Sequence, residues 1–470
     1  MLKPSIFREY DIRGIAETEL LSSGIQLLGQ AIGTWMQRRY GRKVNVGRDV
    51  RLSGERLRDA IVAGLIASGC EVTDVGQVPT PLLYFSVQHL GADGGVMITG
   101  SHNPAEYNGF KIVAGGGTIY GEQITELRDM LANADLQTGE GSLRTFDIDT
   151  PYVEEISSQF QSLPRKVKVV LDAGNGAGGP AMHRILERLN VEATELFFEM
   201  DGNFPNHHPD PTVEENLLQL KQKVAETGAE LGIAFDGDAD RIGAVDENGK
   251  VVWGDFLLLI YAREILLRKP GATFIGEVKC SQVMYDQLNQ LGARAIMYKT
   301  GHSLIKARMK QEEAELAGEM SGHMFFKDRY YGFDDALYAA CRLIEIIAAS
   351  GKPLSAQTEG LPELVSTPEI RVDTLDEIKF EVVRKVAEHF RTTRSIVDID
   401  GARVLFPQGW GLVRASNTQP VLVMRFEAPT QQILDEYRRE VEEAVENAKA
   451  AIRQSRDLLA SDLLAEQDVK

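Results

Sequence analysis

Cysteine is scarce in this chain: Cys70, Cys280 and Cys341 are the only three among 470 residues, odd in number and far apart. That excludes a disulfide framework and points to a reducing compartment, the cytoplasm. Long apolar runs are missing too. The most apolar stretch, 256–261, is broken by Arg263 and Glu264, and Met1-Leu2-Lys3-Pro4 opens no apolar core of signal-peptide length. Neither a membrane span nor a secretory leader is therefore expected. Positive charge is in deficit: 51 Lys and Arg stand against 69 Asp and Glu, a net charge of −18. Such a balance argues against nucleic acid as a partner.

What is present is an ordinary globular composition, 43% hydrophobic and 26% charged, in a chain too long for one core. Helical stripes such as Ile25, Leu28, Ile32, Trp35 and Met36 alternate with short strands at Val44–Val46, Val72–Val75 and Val96–Thr99. The alternation restarts at Val167 and near Val252, then changes character near Thr367. There a helix over Leu375–Phe390 and short strands precede a charged helix from Gln431, with an acidic, frayed tail after Gln454. The expected fold is α/β: three similar domains with mixed sheets around a central cleft (1–149, 150–251 and 252–366), plus a C-terminal α+β domain, 367–470.

The polar loops fall at strand ends, where α/β sheets gather ligands. The first is Thr99-Gly100-Ser101-His102-Asn103-Pro104, where Pro104 stops regular structure and leaves the Ser101 hydroxyl at the strand exit. Lys111 follows within reach. Taken alone, the segment is an ordinary turn. The second is Asp236-Gly237-Asp238-Ala239-Asp240-Arg241, whose three alternate carboxylates can converge on one hard cation. A Ca²⁺ helix-loop-helix competes, with Glu247 at its last position. Arg241, however, replaces its obligatory glycine, and strands rather than helices flank the loop. The third is Glu319-Met320-Ser321-Gly322-His323, whose alternate spacing can aim Glu319, Ser321 and His323 at one ligand. The fourth, Arg414 to Pro420, offers one Arg, hydroxyls and an amide as a phosphate cradle. The glycine-rich Gly174–Gly179 has the wrong spacing for a dinucleotide loop and reads as close strand-helix packing. His207 and His208 are left structural, since adjacent residues on a strand face opposite ways.

These motifs, in this order from Ser5 to about Glu427, resemble the α-D-phosphohexomutases, most nearly the bacterial phosphomannomutase/phosphoglucomutase branch. The resemblance implies reversible transfer of a phosphoryl group between positions 1 and 6 of mannose and glucose phosphates, through a phosphoserine and a hexose 1,6-bisphosphate. It makes Ser101 the phosphorylated residue and, with Asp236, Asp238 and Asp240, a ligand of Mg²⁺. Lys111, Arg241, His323 and His302 become the catalytic set. Tyr10, Arg13, Lys279, Glu319, Ser321, Arg414, Ser416, Asn417 and Thr418 become the substrate-binding set. A phosphate dianion on so acidic a chain needs cations gathered locally, and Arg13, Lys111, Arg241, Lys279, His302 and Arg414 supply them.

The resemblance also implies glucose 1,6-bisphosphate as activator, hexose phosphates as partners, and a monomer or weak dimer. Phosphoglucosamine mutase is the alternative within the class, although Met320 and Ser416-Asn417-Thr418 resemble the glucose/mannose branch more. A serine phosphatase would commonly gather more metal ligands than this chain shows. A sugar-phosphate sensor would need no nucleophile.

Overall fold

The computed structural model describes residues 2–417 and 419–467, with side chains through 455. Its first sheet runs Ile12–Ile15, Tyr107–Ala114, Gly94–Ile98, Lys43–Arg48, Glu71–Gln77, Ser142–Thr145. Lys43–Arg48 lies parallel to both Glu71–Gln77 and Gly94–Ile98, whereas Tyr107–Ala114 returns antiparallel to Gly94–Ile98. The central strands are short and β-branched, and Val44, Val46, Val96 and Ile98 are fully buried. The stripe Ile25, Leu28, Ile32, Trp35 and Met36 lies on the helix Ser22–Gln37 and joins that core as expected.

The next two sheets repeat one device. In the second, Leu231–Phe235 runs parallel to Val167–Asp172 and antiparallel to Ile242–Asp246. In the third, Leu316–Gly318 runs parallel to Thr273–Glu277 and antiparallel to Met324–Phe326. Thus each of the first three polar loops joins a strand of a parallel pair to an antiparallel return strand. The weak internal repeat in the sequence is a repeat of this unit. The loops also meet, because Arg241 and His323 form an isolated antiparallel bridge.

The fourth sheet is antiparallel throughout, ordered Val365–Ser366, Val421–Ala428, Gly409–Ala415, Ala402–Phe406, Ser395–Val397, with Ile370–Asp373 also on Val421–Ala428. Its covering helix begins at Lys379 rather than Leu375. The preceding turn is held by Lys379, whose Nζ donates to Asp376 and to the Gln419 carbonyl. The last helix continues past Gln454 to Gln467, as a stretch without glycine or proline can. The chain divides into two compact units. One comprises Met1–Gly276, Met284–Ile296 and Gly301–Glu359, and the other Glu277–Val283, Met297–Thr300 and Gly360–Lys470. Among the described residues no helix is long and apolar enough to cross a membrane.

The helices Ser22–Gln37 and Gly54–Ala67 cross at two glycines. A Cβ on Gly64 would lie 1.9 Å from the Gln26 carbonyl oxygen, and one on Gly29 2.3 Å from that of Ile61. Gly64→Ala must therefore part the two backbones. It should destabilise the unit that contains these helices by about 1–3 kcal/mol, as overpacking does; a lowered melting temperature in differential scanning calorimetry checks this.

Candidate functional site

Gly94–Ile98 delivers the chain to Ser101, which is buried and has a left-handed backbone (φ 49°), an uncommon conformation for a residue with a Cβ. The turn is tied from below. Asp49 accepts from Thr99 Oγ1 at 2.7 Å and from the Gly100 N–H at 3.2 Å, and the Ser101 N–H donates to Thr99 Oγ1 at 2.8 Å. Ser101 Oγ donates to Asp236 Oδ2 at 2.8 Å and stands 3.1 Å from His102 Nδ1. Burial, with Arg241 and Arg13 nearby, pushes the His102 pKa well below its ordinary value, so this imidazole is neutral.

Asp236, Asp238 and Asp240 are all fully buried, with one carboxylate oxygen from each lying within 4.8 Å of the others. Asp236 Oδ1 accepts the Asp240 and Arg241 N–H groups, at 3.1 and 3.2 Å, which folds the loop on itself. Thr80 Oγ1 donates to Asp238 Oδ2 at 2.5 Å. Lys111, carried in by the antiparallel return strand, donates to Asp238 Oδ2 at 2.8 Å and also to Asp240 Oδ2. Asp238 Oδ1 and Asp240 Oδ1 are buried with no hydrogen-bond partner among the described residues.

The electrostatics follow from that packing. Burial, reinforced by Asp238 and Asp240, raises the Asp236 pKa well above the carboxylate range. Burial also works against charge on Asp238, but Lys111 and Thr80 more than reverse it and hold that carboxyl below its ordinary value. Lys111 is raised well above its usual value: desolvation opposes its charge, and Asp238 and Asp240 overcome that. One ammonium does not balance three carboxylates, and Arg241 Nε stands 4.0 Å from Asp236. Two orphaned, buried acceptor oxygens beside three clustered carboxyl groups fit a hard divalent cation.

Glu319, Ser321 and His323 do not share one direction as their spacing suggested. They lie in a turn with Gly322 at φ 96°, so strand alternation does not apply. Glu319 accepts the Gly301 N–H at 2.7 Å and the Ser321 hydroxyl at 3.1 Å. His323 instead faces the acidic loop. Its Nε2 accepts from Arg241 Nε at 3.0 Å, while Nδ1 lies 3.1 Å from the Asp240 carbonyl and 3.2 Å from Asp334 Oδ2. That pattern puts the proton on Nδ1. The His302 ring stacks 5.7 Å from His323, with Tyr10 at its edge, 6.2 Å away. Burial first, and then Lys306, depress the His302 pKa well below normal. Arg13 donates to Asn103 Oδ1 at 2.6 Å and to Asp11 at 2.5 Å, reaching the serine loop.

All these groups belong to the first unit, joined through Ser101–Asp236, Lys111–Asp238 and Arg241–His323. The second unit carries the other cations. Lys279 Nζ donates to Glu369 Oε2 at 2.9 Å. Arg414 Nε donates to Asp400 Oδ2 at 3.0 Å, and the Thr300 N–H donates to the same oxygen, also at 3.0 Å. Arg414 and Ser416 lead into the loop between Gly409–Ala415 and Val421–Ala428, where Ser416 Oγ accepts the Gln419 N–H at 3.2 Å. Asn417 lies in this loop; Thr418 falls outside the described residues.

Sequence reading passed over Asp49, Arg51, Thr80, His102, Lys306 and Asp334. Asp49 and Arg51 follow the strand Lys43–Arg48, so the strand-end rule that singled out Ser101 could have found them. Lys306 donates to Asp334 at 2.8 Å and sits 4.4 Å from the Tyr84 ring centroid, an arrangement with no local signature. His207, left structural, lies in a loop rather than on a strand; its Nε2 lies 3.0 Å from Asp172 Oδ2. Close packing of the glycine-rich segment holds: a Cβ on Gly176 would come 2.8 Å from the Gly237 carbonyl oxygen.

Four family models match the chain in succession. They are phosphoglucomutase/phosphomannomutase α/β/α domain I over residues 4–138, domain II over 150–249, domain III over 253–365 and the C-terminal domain over 369–444. A phosphomannomutase/phosphoglucomutase of Pseudomonas syringae pv. tomato is 48% identical over 438 residues, 93% of this chain and 94% of that one. A phosphoglucomutase of Neisseria gonorrhoeae is 44% identical over 94% of this chain and 97% of its own. The crystal structure of a phosphoglucomutase/phosphomannomutase family protein from Burkholderia thailandensis superposes with a TM-score of 0.89 at 44% identity, covering 96% of this chain and 98% of that one.

Glu369 offers a pH test of the second unit. Lys279 holds its carboxyl at about 2, below the ordinary 4.5. A depressed folded-state pKa gives stability that is present above 4.5 and lost as the pH falls towards 2. The shift corresponds to at most about 3 kcal/mol, because the Glu369 side chain is a quarter exposed. Glu369→Gln should therefore destabilise this unit at pH 7, and the gap from the unsubstituted protein should close towards pH 2; denaturant titrations across that range check it.

Proposed function

The chain belongs to the phosphoglucomutase/phosphomannomutase family, and from that premise we propose how it moves a phosphoryl group reversibly between the 1 and 6 positions of glucose and mannose phosphates. The observation that supports the proposal is the contact of Ser101 Oγ with Asp236, in a buried acidic loop that has two oxygens without a hydrogen-bond partner among the described residues. Ser101 carries the phosphoryl group at the start. A sugar hydroxyl attacks the phosphorus, the bond to Ser101 Oγ breaks, and the hydroxyl proton leaves. The resulting bisphosphate turns end for end; Ser101 Oγ then attacks the other phosphorus, the sugar O–P bond breaks, and the freed sugar oxygen takes back the proton.

Asp236, Asp238 and Asp240, with the phosphorylated Ser101, would hold Mg²⁺, which when bound supplies Lewis-acid neutralisation of the phosphoryl oxygens. Lys111 and Arg241 stabilise charge on the transferring group. His323, with its proton on Nδ1, offers the Nε2 lone pair to the hydroxyl proton once Arg241 turns to the phosphoryl group. His302 stacks on that ring as an uncharged imidazole, and so is not among the cations that hold phosphate. Glu319 and Ser321, already paired, read sugar hydroxyls, with Tyr10 and Arg13 at the entrance to the serine loop. Lys279, Arg414, Ser416, Asn417 and Thr418 hold the non-reacting phosphate and make it a handle for orientation. Glucose 1,6-bisphosphate restores phosphorylation to a bare Ser101. Four domains, 1–149, 150–251, 252–366 and 367–470, contribute one loop each. The glucosamine reading is not favoured, since relatives covering nearly the whole chain are named for glucose and mannose phosphates.

Ser101→Ala should lose at least about a thousandfold in kcat, the scale of removing a group that forms a covalent intermediate. Dephosphorylated wild-type enzyme should recover activity with glucose 1,6-bisphosphate in a coupled glucose 1-phosphate assay. Full turnover by the alanine variant would reject the phosphoserine route.

Asp238→Asn should weaken Mg²⁺ binding by more than the ~10–100-fold typical of losing a group that merely orients a ligand. Calorimetric titration reads the affinity and far-UV circular dichroism the fold; unchanged affinity would move the metal elsewhere.

A further inference from the structure

Arg51 is a fully buried cation with no place in the chemistry described so far. Its guanidinium lies under the serine loop. Nη1 donates to the Pro104 carbonyl at 2.5 Å and to the Tyr107 carbonyl at 2.7 Å. Nη2 donates to the Ser101 carbonyl at 2.8 Å and to the Asn103 carbonyl at 2.5 Å. All four Nη hydrogens are thus directed at main-chain oxygens of one segment, 101–107. Nε faces Asp49 Oδ2 at 3.4 Å, the same carboxylate oxygen that accepts Thr99 Oγ1 and the Gly100 N–H.

Space is as constrained as hydrogen bonding. A Cβ on Gly100 would lie 2.4 Å from Arg51 Cζ, so only glycine lets the guanidinium reach the loop. On another side the Phe204 ring centroid is 5.6 Å from Arg51 Cζ. A Cβ on Gly202 would lie 2.4 Å from the Val50 carbonyl oxygen, so the loop around 201–204 closes directly over the arginine. A cation is taken out of water here at considerable cost, balanced by one carboxylate and four carbonyls. The loop it grips holds Ser101 in a left-handed conformation that a non-glycine residue adopts only when its surroundings impose it.

Resting on the assignment of Ser101 as the phosphoryl carrier, we propose that Arg51 is the positioning residue of that serine. Its fork collects four carbonyls of the 101–107 segment and thereby fixes the left-handed turn that presents Ser101 Oγ to Asp236. Arg51 touches no reacting atom. It acts by keeping the nucleophile's backbone from relaxing, with Asp49 holding the turn through Thr99 and Gly100. Lysine cannot replace it, because a single ammonium has three donors on one nitrogen and cannot span four separated carbonyls.

The test compares Arg51→Lys, Arg51→Ala and Ser101→Ala with wild type in the coupled assay, glucose 1-phosphate varied and Mg²⁺ saturating. For Arg51→Lys, kcat should fall about 100-fold, the scale of misplacing a reacting atom by an ångström. KM and Mg²⁺ affinity should stay near wild type, and labelling of Ser101 by glucose 1,6-bisphosphate should slow by the same factor as kcat. Guanidinium ion at sub-denaturing concentration should restore turnover to Arg51→Ala, with saturation, whereas equal concentrations of urea or sodium chloride should not. A merely structural arginine predicts a lowered melting temperature with no split between kcat and KM and no rescue. Near-wild-type kcat in Arg51→Lys overturns the proposal, as does a folded Arg51→Ala that guanidinium leaves unchanged; if the alanine variant does not fold, the lysine variant decides. Activity retained by Ser101→Ala would instead overturn the phosphoserine assignment, so the two failures are distinguishable.

Discussion

Three carboxylates buried at the end of one strand set the terms for everything around them. Asp236, Asp238 and Asp240 are all out of water, and charge in that setting must be met by partners or suppressed by protonation. Lys111 meets part of it, and the raised pKa of Asp236 reflects the part left over. Ser101, Thr80 and the loop's own N–H groups take up further oxygens. Two oxygens have no hydrogen-bond partner among the described residues, and a cation is the group that completes such a set.

The fold brings these partners together by repeating one piece of topology. A strand of a parallel pair ends in a polar loop, and an antiparallel strand returns from it, in each of the first three sheets. In the first, the return strand carries Lys111 back opposite Met97, just below the serine loop. In the second and third, the loops are close enough for Arg241 and His323 to pair as strand residues do. One backbone solution thus supplies the loops that carry Ser101, the three aspartates and His323. The C-terminal sheet is built differently, antiparallel throughout; in the second unit Arg414 of that sheet and Lys279, which follows Thr273–Glu277, each pair with a carboxylate, Asp400 and Glu369. The acidic loop keeps acceptor oxygens open where a cation fits, whereas these two cations of the second unit are paired with carboxylates.

Backbone conformation is the second constraint. Ser101 and Ala239 both adopt left-handed conformations without being glycine, one in the serine loop and one between Asp238 and Asp240. Such residues persist where neighbouring contacts over-determine them. Around Ser101 those contacts are the Asp49 carboxylate and the Arg51 guanidinium. Around Ala239, the Asp236 carboxylate accepts the following N–H groups and the Ala239 N–H donates to the Asp236 carbonyl at 3.0 Å.

The sequence by itself determined the elements and the order of the loops. Helical stripes and β-branched runs reflect local burial, and an Asp-Gly-Asp-Ala-Asp-Arg segment between apolar runs sets three alternate carboxylates within six residues. Tertiary structure alone decided which loops touch. Ser101 and Asp236 lie 135 positions apart, Arg241 and His323 82, and nothing in their spacing records either contact. It also decided direction: Glu319, Ser321 and His323 share a spacing, yet a turn at Gly322 sends the histidine to Asp334 and Arg241 and leaves the other two paired. Lys306 and Asp334 became visible only through packing, because burial and partner choice depend on sheet order and loop closure. Those arise from contacts between distant segments, which leave no periodic trace along the chain.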